Sequence, residues 1–451
     1  MWLGAMVAVL GWTLVWAAGL GGVGRSVAAA LLGLRRVAGW LDALGAWCGG
    51  WASSSRVGRS RVVAALLAGA LAPVVWAAGP LPALGPGDSA FAQVLGPRVF
   101  EFPRDHGPHP GYRQEWWYFT GNLDSATGER FGFELTFFRY GLVAGEERAG
   151  DAAGAESAWR ARQVYMGHFA VTDVGRQRFR FAEKVSRGAV GLAGAGSPPL
   201  RVWVDDWVLE DAGTGTGQDH GHWKLHAAEE GYELTLDAAA LEAPVLNGDH
   251  GFSAKSSTPG SASYYYSIPR VAVHGQLIRD GKVLEVRGQA WMDREWGSGS
   301  LSLEQQGWDW FALQLRDGGS LMFYSLRGRD GRRDPHSAGT WVSATGETRP
   351  LAADDVHIDV LDYWKNPRGD RYPAKWRVRV PAVGVDVEVR PVVADQELST
   401  APRYWEGAVD VVAVGGDGTA AHTAEGRNGG SAAGPGPGGR GYVELVGYAA
   451  Q

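Results

Sequence analysis

Trp291-Met292-Asp293-Arg294-Glu295-Trp296 sets an indole and two carboxylates at alternate positions. On an extended strand successive side chains point to opposite faces. Trp291, Asp293 and Glu295 then share one face, and Met292, Arg294 and Trp296 share the other. A carboxyl group held against apolar surface has its pKa raised by desolvation, and a second carboxylate nearby raises it further. Such a group stays protonated near neutral pH and can serve as a general acid. Asp293 and Glu295 are therefore the candidate catalytic residues, with Trp291 beside them. A salt-bridged barrel rim, with Arg294 between two carboxylates, fits the same spacing equally well. A second aromatic run, Ser263-Tyr264-Tyr265-Tyr266-Ser267, puts phenols on both faces of a strand. Tyr264 and Tyr266 are expected to line the Asp293 cavity if the two strands are neighbours. Aromatic sheet neighbours with solvated hydroxyls are the plainer alternative.

A third cluster, Asp105-His106-Gly107-Pro108-His109, runs into Glu115-Trp116-Trp117-Tyr118-Phe119-Thr120-Gly121-Asn122-Leu123. Gly107 and Pro108 preclude a regular helix presenting both histidines. Neither HExxH nor a Cys/His cluster is present, so no metal and no cofactor are expected. The histidines read as turn caps or backbone partners. No G-x-S-x-G elbow, S-x-x-K or P-loop supports a serine hydrolase or a nucleotide enzyme. The strand after the cluster is aromatic on both faces, whereas a half-exposed strand shows one apolar and one polar face. It reads as wedged between a core and a second apolar body. A ligand cavity with Trp117 as a wall is the natural candidate.

The elements that must position these residues are strands. Phe131–Arg139, His168–Thr172, Leu200–Val204, Tyr232–Leu236 and Val271–Gly275 are rich in β-formers. So are Trp308–Leu315, Leu321–Leu326, Trp376–Val380, Val385–Val389 and Gly441–Val446. Many short strands punctuated by Gly and Asp turns, with little helical periodicity, indicate barrels or sandwiches. Asn122-Leu123-Asp124 leading to Phe133–Arg139 is echoed by Leu313–Gly318 leading to Leu321–Arg327. Both are aromatic hairpins ended by arginine, which suggests two similar domains. Gly297-Ser298-Gly299-Ser300 places the boundary near 297–307. The Ala/Gly stretch 143–158 and the Gly-rich stretch 414–440 read as disordered surface loops.

The chain has 451 residues, enough for two or three domains. A net charge of −6 shows no basic face for nucleic acid. The 21 tryptophans suit aromatic-lined cores or pockets. The single cysteine, Cys48, excludes an intramolecular disulfide framework. Residues 1–92 read as a hydrophobic leader. Residues 1–24 carry no charge and are long enough for a membrane anchor; an over-extended start is the alternative. Residues 56–92 combine Arg56, Arg59 and Arg61 with an uncharged run and the small-x-small ending Ala90-Phe91-Ala92. These are the parts of a signal peptide. A periplasmic or secreted protein, with membrane contact through the N-terminal segment, is the expectation.

Taken together, His109 with Tyr112–Asn122, Phe131–Arg139, His168–Asp173, Tyr264–Arg270 and Ala290–Gly297 resemble the AttH-like proteins. Gly307–Ala312, Tyr404–Val409 and Gly441–Leu445 extend the resemblance in order over roughly residues 98–448. That family is grouped with carotenoid 1,2-hydratase (hydroxyneurosporene synthase). The resemblance implies an all-β protein of two lipocalin-like antiparallel β-barrel domains, here 98–297 and 298–451. It also implies Asp293 as the acid that protonates an isoprenoid double bond. Trp117, Tyr264, Tyr266, Trp291 and Trp308 would be substrate-binding, and Glu295 or a nearby histidine would orient water. The form Trp-Met-Asp-Arg-Glu-Trp-Gly resembles the AttH-like branch rather than the carotenoid hydratases, which leaves the carotenoid substrate open.

Two classes of function follow. One is a hydratase or related lyase acting on a hydrophobic isoprenoid or lipid-like substrate. The other is a non-catalytic lipocalin-like carrier of a lipophilic ligand. A secreted hydrolase with an unrecognised site is a third.

Overall fold

The computed structural model describes residues 90–144, 161–213, 220–299, 301–400, 402–414 and 438–449. The anchor expected over 1–24, most of the signal-like unit and the centres of both expected loops lie outside the described residues. Of the small-x-small ending, Phe91 and Ala92 pack on the first barrel. Phe91 is buried, Ala92 N–H bonds the Gly111 carbonyl at 2.9 Å, and Ser298 Oγ donates to the Ala92 carbonyl at 2.6 Å. Among the described residues no helix is long and apolar enough to cross a membrane.

Alternating apolar residues and Gly/Asp turns produce two antiparallel sheets, each curled on itself. The first begins with β1 (Gln114–Ser125), β2 (Arg130–Gly141), β3 (Gln163–Asp173) and β4 (Arg178–Arg187). It continues with β5 (Ala193–Gly196), β6 (Arg201–Val204), β7 (Trp207–Asp211), β8 (His222–Glu229) and β9 (Tyr232–Ala240). It closes with β10 (Val245–Leu246), β11 (Phe252–Ala254), β12 (Ala262–Arg279) and β13 (Lys282–Gly297). The second sheet begins with β14 (Gln305–Leu315), β15 (Ser320–Gly328), β16 (Ala338–Val342), β17 (Thr348–Ala352) and β18 (His357–Lys365). It ends with β19 (Arg371–Val380), β20 (Val385–Pro391), β21 (Glu397–Leu398), β22 (Tyr404–Ala413) and β23 (Gly439–Val446). Gly439 and Arg440, expected in a loop, belong to β23, and Arg440 pairs with Asp124 at 2.6 Å.

The two sheets repeat one topology. The first runs β4-β3-β2-β1-β13-β12-β9-β8-β7-β6-β5, and the second β17-β16-β15-β14-β23-β22-β20-β19-β18. In each, a four-strand meander leads off and its first strand pairs with the last strand of the sheet. The hairpin echo in the sequence is this repeat. Arg139, at the end of the β1–β2 hairpin, pairs with Glu115; Arg327, at the end of β14–β15, pairs with Asp309.

Each barrel has its own interior, led by Trp117, Phe119, Tyr266, Met292 and Trp296 in the first and by Phe311, Trp376 and Trp405 in the second. A third cluster joins them. Tyr118, Tyr265 and Trp291 of the first sheet pack on Trp310, Met322, Tyr324 and Tyr442 of the second. The apolar body behind the doubly aromatic strand β1 is therefore the second barrel.

Candidate active site

Alternation along β13 separates its residues as the spacing requires. Met292 and Trp296 enter the first barrel's core, while Trp291, Asp293 and Glu295 face the second barrel. Arg294 points inward and is fully buried. It donates to Glu115 at 3.0 Å and lies 4.0 Å over the Trp117 ring. It pairs with neither Asp293 nor Glu295, so the local salt-bridge alternative does not describe this strand.

Register decides which tyrosine joins Asp293. Opposed residues on antiparallel strands share a face. Tyr265 pairs with Glu295 and Ser267 with Asp293, whereas Tyr264 opposes Trp296 and Tyr266 opposes Arg294. Tyr118, opposite Asp293 on β1, shares its face, and Trp117 does not. Trp117, Tyr264 and Tyr266 therefore do not line the Asp293 space, contrary to expectation. They clamp the N-terminal segment over the barrel. Trp117 Nε1 donates to the His106 carbonyl at 3.0 Å, Tyr264 Oη donates to the Gly96 carbonyl at 3.1 Å, and Tyr266 Oη meets His106 Nδ1 at 2.6 Å. His109 stacks on Trp296 at 3.8 Å and contacts Glu115 and Asp105. Burial pushes the Glu115 carboxyl up, but Arg139, His109 and Arg294 outweigh it and hold the group below the usual carboxylate range. The histidine segment is a structural plug.

Asp293 is 4% exposed and receives three hydrogen bonds. Tyr265 Oη donates to Oδ2 at 2.5 Å; Ser267 Oγ and Trp291 Nε1 donate to Oδ1 at 2.6 and 2.7 Å. The second barrel orients two of those donors. Trp310 Nε1 donates to Tyr265 Oη at 3.0 Å, and Thr340 donates to Asn247 at 2.8 Å, which donates to Ser267 at 2.9 Å. Burial raises the Asp293 pKa; the donors pull it down, Glu295 adds to the rise, and it is pushed up to about 7. Glu295 accepts from Ser263 and lies 3.1 Å from Lys255 Nζ. Burial opposes the Lys255 charge, but Glu295 and Tyr324 overcome it and hold the ammonium protonated.

Three further carboxylates, which the sequence reading did not single out, face the same seam. Glu134 on β2 and Glu406 on β22 are buried with Tyr118, Tyr404 and Tyr442, and Glu444 on β23 is half-buried beside them. Burial first, then mutual repulsion, pushes Glu406 well above its ordinary value and Glu444 up to about 8; Glu134 is raised mainly by burial. Trp308 belongs here, its Nε1 donating to Glu444 at 3.2 Å. A hydrogen-bonded chain leads inward from the exposed Glu183. It passes through His168 (3.1 Å) and Tyr404 (2.6 Å) to Glu134 (3.3 Å). Glu406 adjoins Glu134 and accepts from Tyr118. Each of these glutamates sits inside an apolar strand, as in Phe-Glu-Leu-Thr-Phe around Glu134. That embedded charge was the available signal.

Two antiparallel barrels joined over a buried, aromatic, acid-rich seam define a lipocalin-like two-barrel protein. The chain belongs to the AttH-like family, whose model matches residues 93–448. It is similar to an AttH protein of known structure from Nitrosomonas europaea, at 31% identity and TM-score 0.65, covering 80% of this chain and 100% of that one. It also shares a fold with kievitone hydratase from Nectria haematococca, at 14% identity and TM-score 0.56, covering 79% of this chain and 95% of that one. Among curated proteins no relative matches the chain.

Proposed function

We propose that the seam between the barrels is the active site of a hydro-lyase acting on a hydrophobic isoprenoid or lipid-like substrate. The observation that carries this reading is Asp293, a buried carboxyl held near neutrality among aromatic rings. Protonated Asp293 delivers its proton to one carbon of a C=C bond, whose π electrons form the new C–H bond. The adjacent carbon becomes a cation. The Trp291, Trp310 and Tyr118 rings line this face, each cation–π contact contributing about 0.5–2 kcal/mol. Water held by Glu295 adds to the cation and gives up a proton to a carboxylate, so the net change is addition of one water. Kievitone hydratase supports the fold in which this chemistry sits, and the reading of this chain rests on Asp293. The apolar, arginine-flanked leader supports export, which cell fractionation of the full chain would check.

Lipids that co-purify with the full-length chain, identified by mass spectrometry, supply the candidate substrate. Wild type is expected to convert it to a product heavier by one water. Asp293→Asn is expected to bind it equally and form no product. Undiminished turnover by Asp293→Asn would sink the assignment, and equal binding without turnover by either protein would leave a carrier.

A further inference from the structure

A cavity of about 660 Å³ opens at the end of the first barrel. Ligand sites commonly span about 300–1,000 Å³. It adjoins the β12–β13 turn at Asp280, roughly 40 Å of extended strand from Asp293 at about 3.3 Å per residue. Its floor is Phe169 and Val171, both in the barrel core. In the β3–β4 register Val171 opposes Arg180 and Asp173 opposes Arg178, so both arginines lie on the barrel's inner face. They remain at the cavity because β4 is an edge strand and does not pair with β5, the other edge.

The neighbouring acids are mostly engaged. Asp173 pairs with Arg279 at 3.0 Å, Asp280 with Arg176 at 2.6 Å and Glu183 with His168 at 3.1 Å. Glu229 and Glu230 sit across the mouth in the β8–β9 turn. Among the described residues Arg178 and Arg180 form no ion pair. Tyr232 lines the same cavity, and its buried hydroxyl has no hydrogen-bond partner. A buried unpaired hydroxyl costs about 1–3 kcal/mol, which a ligand oxygen would recover.

We propose that this cavity binds a long-chain carboxylate, with its chain on Phe169 and Val171 and its head between Arg178, Arg180 and the Tyr232 hydroxyl. The site is independent of the chemistry at Asp293. Lipid-stripped full-length protein, titrated calorimetrically with laurate below its micelle concentration, is expected to bind one laurate per chain. Dodecanol and dodecyltrimethylammonium are expected to bind at least about tenfold more weakly, because hydrogen bonds to charged groups are worth about 1.5–3 kcal/mol. The Arg178→Gln/Arg180→Gln pair should lose about tenfold in laurate affinity while leaving dodecanol binding and the melting temperature unchanged. Tyr232→Phe should weaken laurate by a smaller factor. Undiminished laurate binding by the folded double-arginine variant would overturn the site. Binding of the cationic detergent as tight as laurate would do the same, since the glutamates across the mouth would then set the selectivity.

Discussion

At the scale of the residue, the acid of this site is set by competition between burial and hydrogen bonding. Removing Asp293 from water favours its neutral form, and three donors pull back toward the anion without restoring the ordinary carboxylate value. The proposed reaction uses the neutral form, so activity should be level in mild acid. It should then fall about tenfold per pH unit above the Asp293 value of about 7. A pH–rate profile on the identified substrate checks this, and activity that rises through pH 7 to 9 would argue for Asp293 as a base. Arg294, one position along, shows how completely alternation separates roles. Its guanidinium is spent on Glu115 and on backbone carbonyls inside the barrel. Breaking a buried pair of this kind leaves a charge uncompensated at a cost of about 3–5 kcal/mol.

At the scale of the element, adjacent tyrosines on β12 should give opposite results. Tyr265→Phe removes a donor to the Asp293 anion and should move the alkaline limb of the pH–rate profile upward by about one pH unit or more. Tyr266→Phe should leave that limb in place. It should lower stability to urea by about 1–2 kcal/mol through loss of its His106 bond. Equal displacements of the limb would mean the two side chains do not divide between faces. The strand character and the alternation of β13 were legible in the sequence, and Trp291, Asp293 and Glu295 do share a face. Which tyrosines join them was not legible, because one step in register exchanges the two faces of a strand. Tyr264 and Tyr266 fitted that reading as well as Tyr265 until the pairing of Tyr265 with Glu295 was known. Trp117 and Tyr118 pose the same problem on β1. Both faces of these strands are buried, so polarity offers no clue to which side holds the chemistry. Glu134, Glu406 and Glu444 stand on strands far apart in the chain, and only the packing of one barrel on the other collects them.

At the scale of the whole molecule, the seam ties stability to its state of protonation. Beyond the apolar cluster, Gln314 donates to the Pro269 and Ala290 carbonyls at 2.7 and 3.0 Å, and Arg130 pairs with Asp410 across the barrels. Asp293 and Glu444 are raised in the fold to about 7 and about 8. A raised carboxyl makes its full contribution below its unfolded value near 4, and that contribution is lost as pH climbs through the folded value. A tenfold change in proton affinity corresponds to about 1.4 kcal/mol, so for Asp293 alone the loss is on the order of 4 kcal/mol. His106 acts in the other direction. Burial, aided by Arg294, draws it down to about 4, so its contribution is full above its unfolded value near 6.5 and is lost as pH falls toward 4. Glu115, held low by Arg139, His109 and Arg294, likewise loses its contribution in acid. Stability should therefore peak in mild acid and decline from about pH 5 to about pH 8, between the unfolded and folded values of these carboxyls, with the barrels melting in one calorimetric transition because the seam joins them. An Asp293→Asn/Glu444→Gln variant should be less sensitive to alkali over that range than wild type. A wild-type melting temperature that rises from about pH 5 to about pH 8 would show that the seam carboxylates are ionised in the fold. Two separate transitions would show that the seam does not couple the barrels.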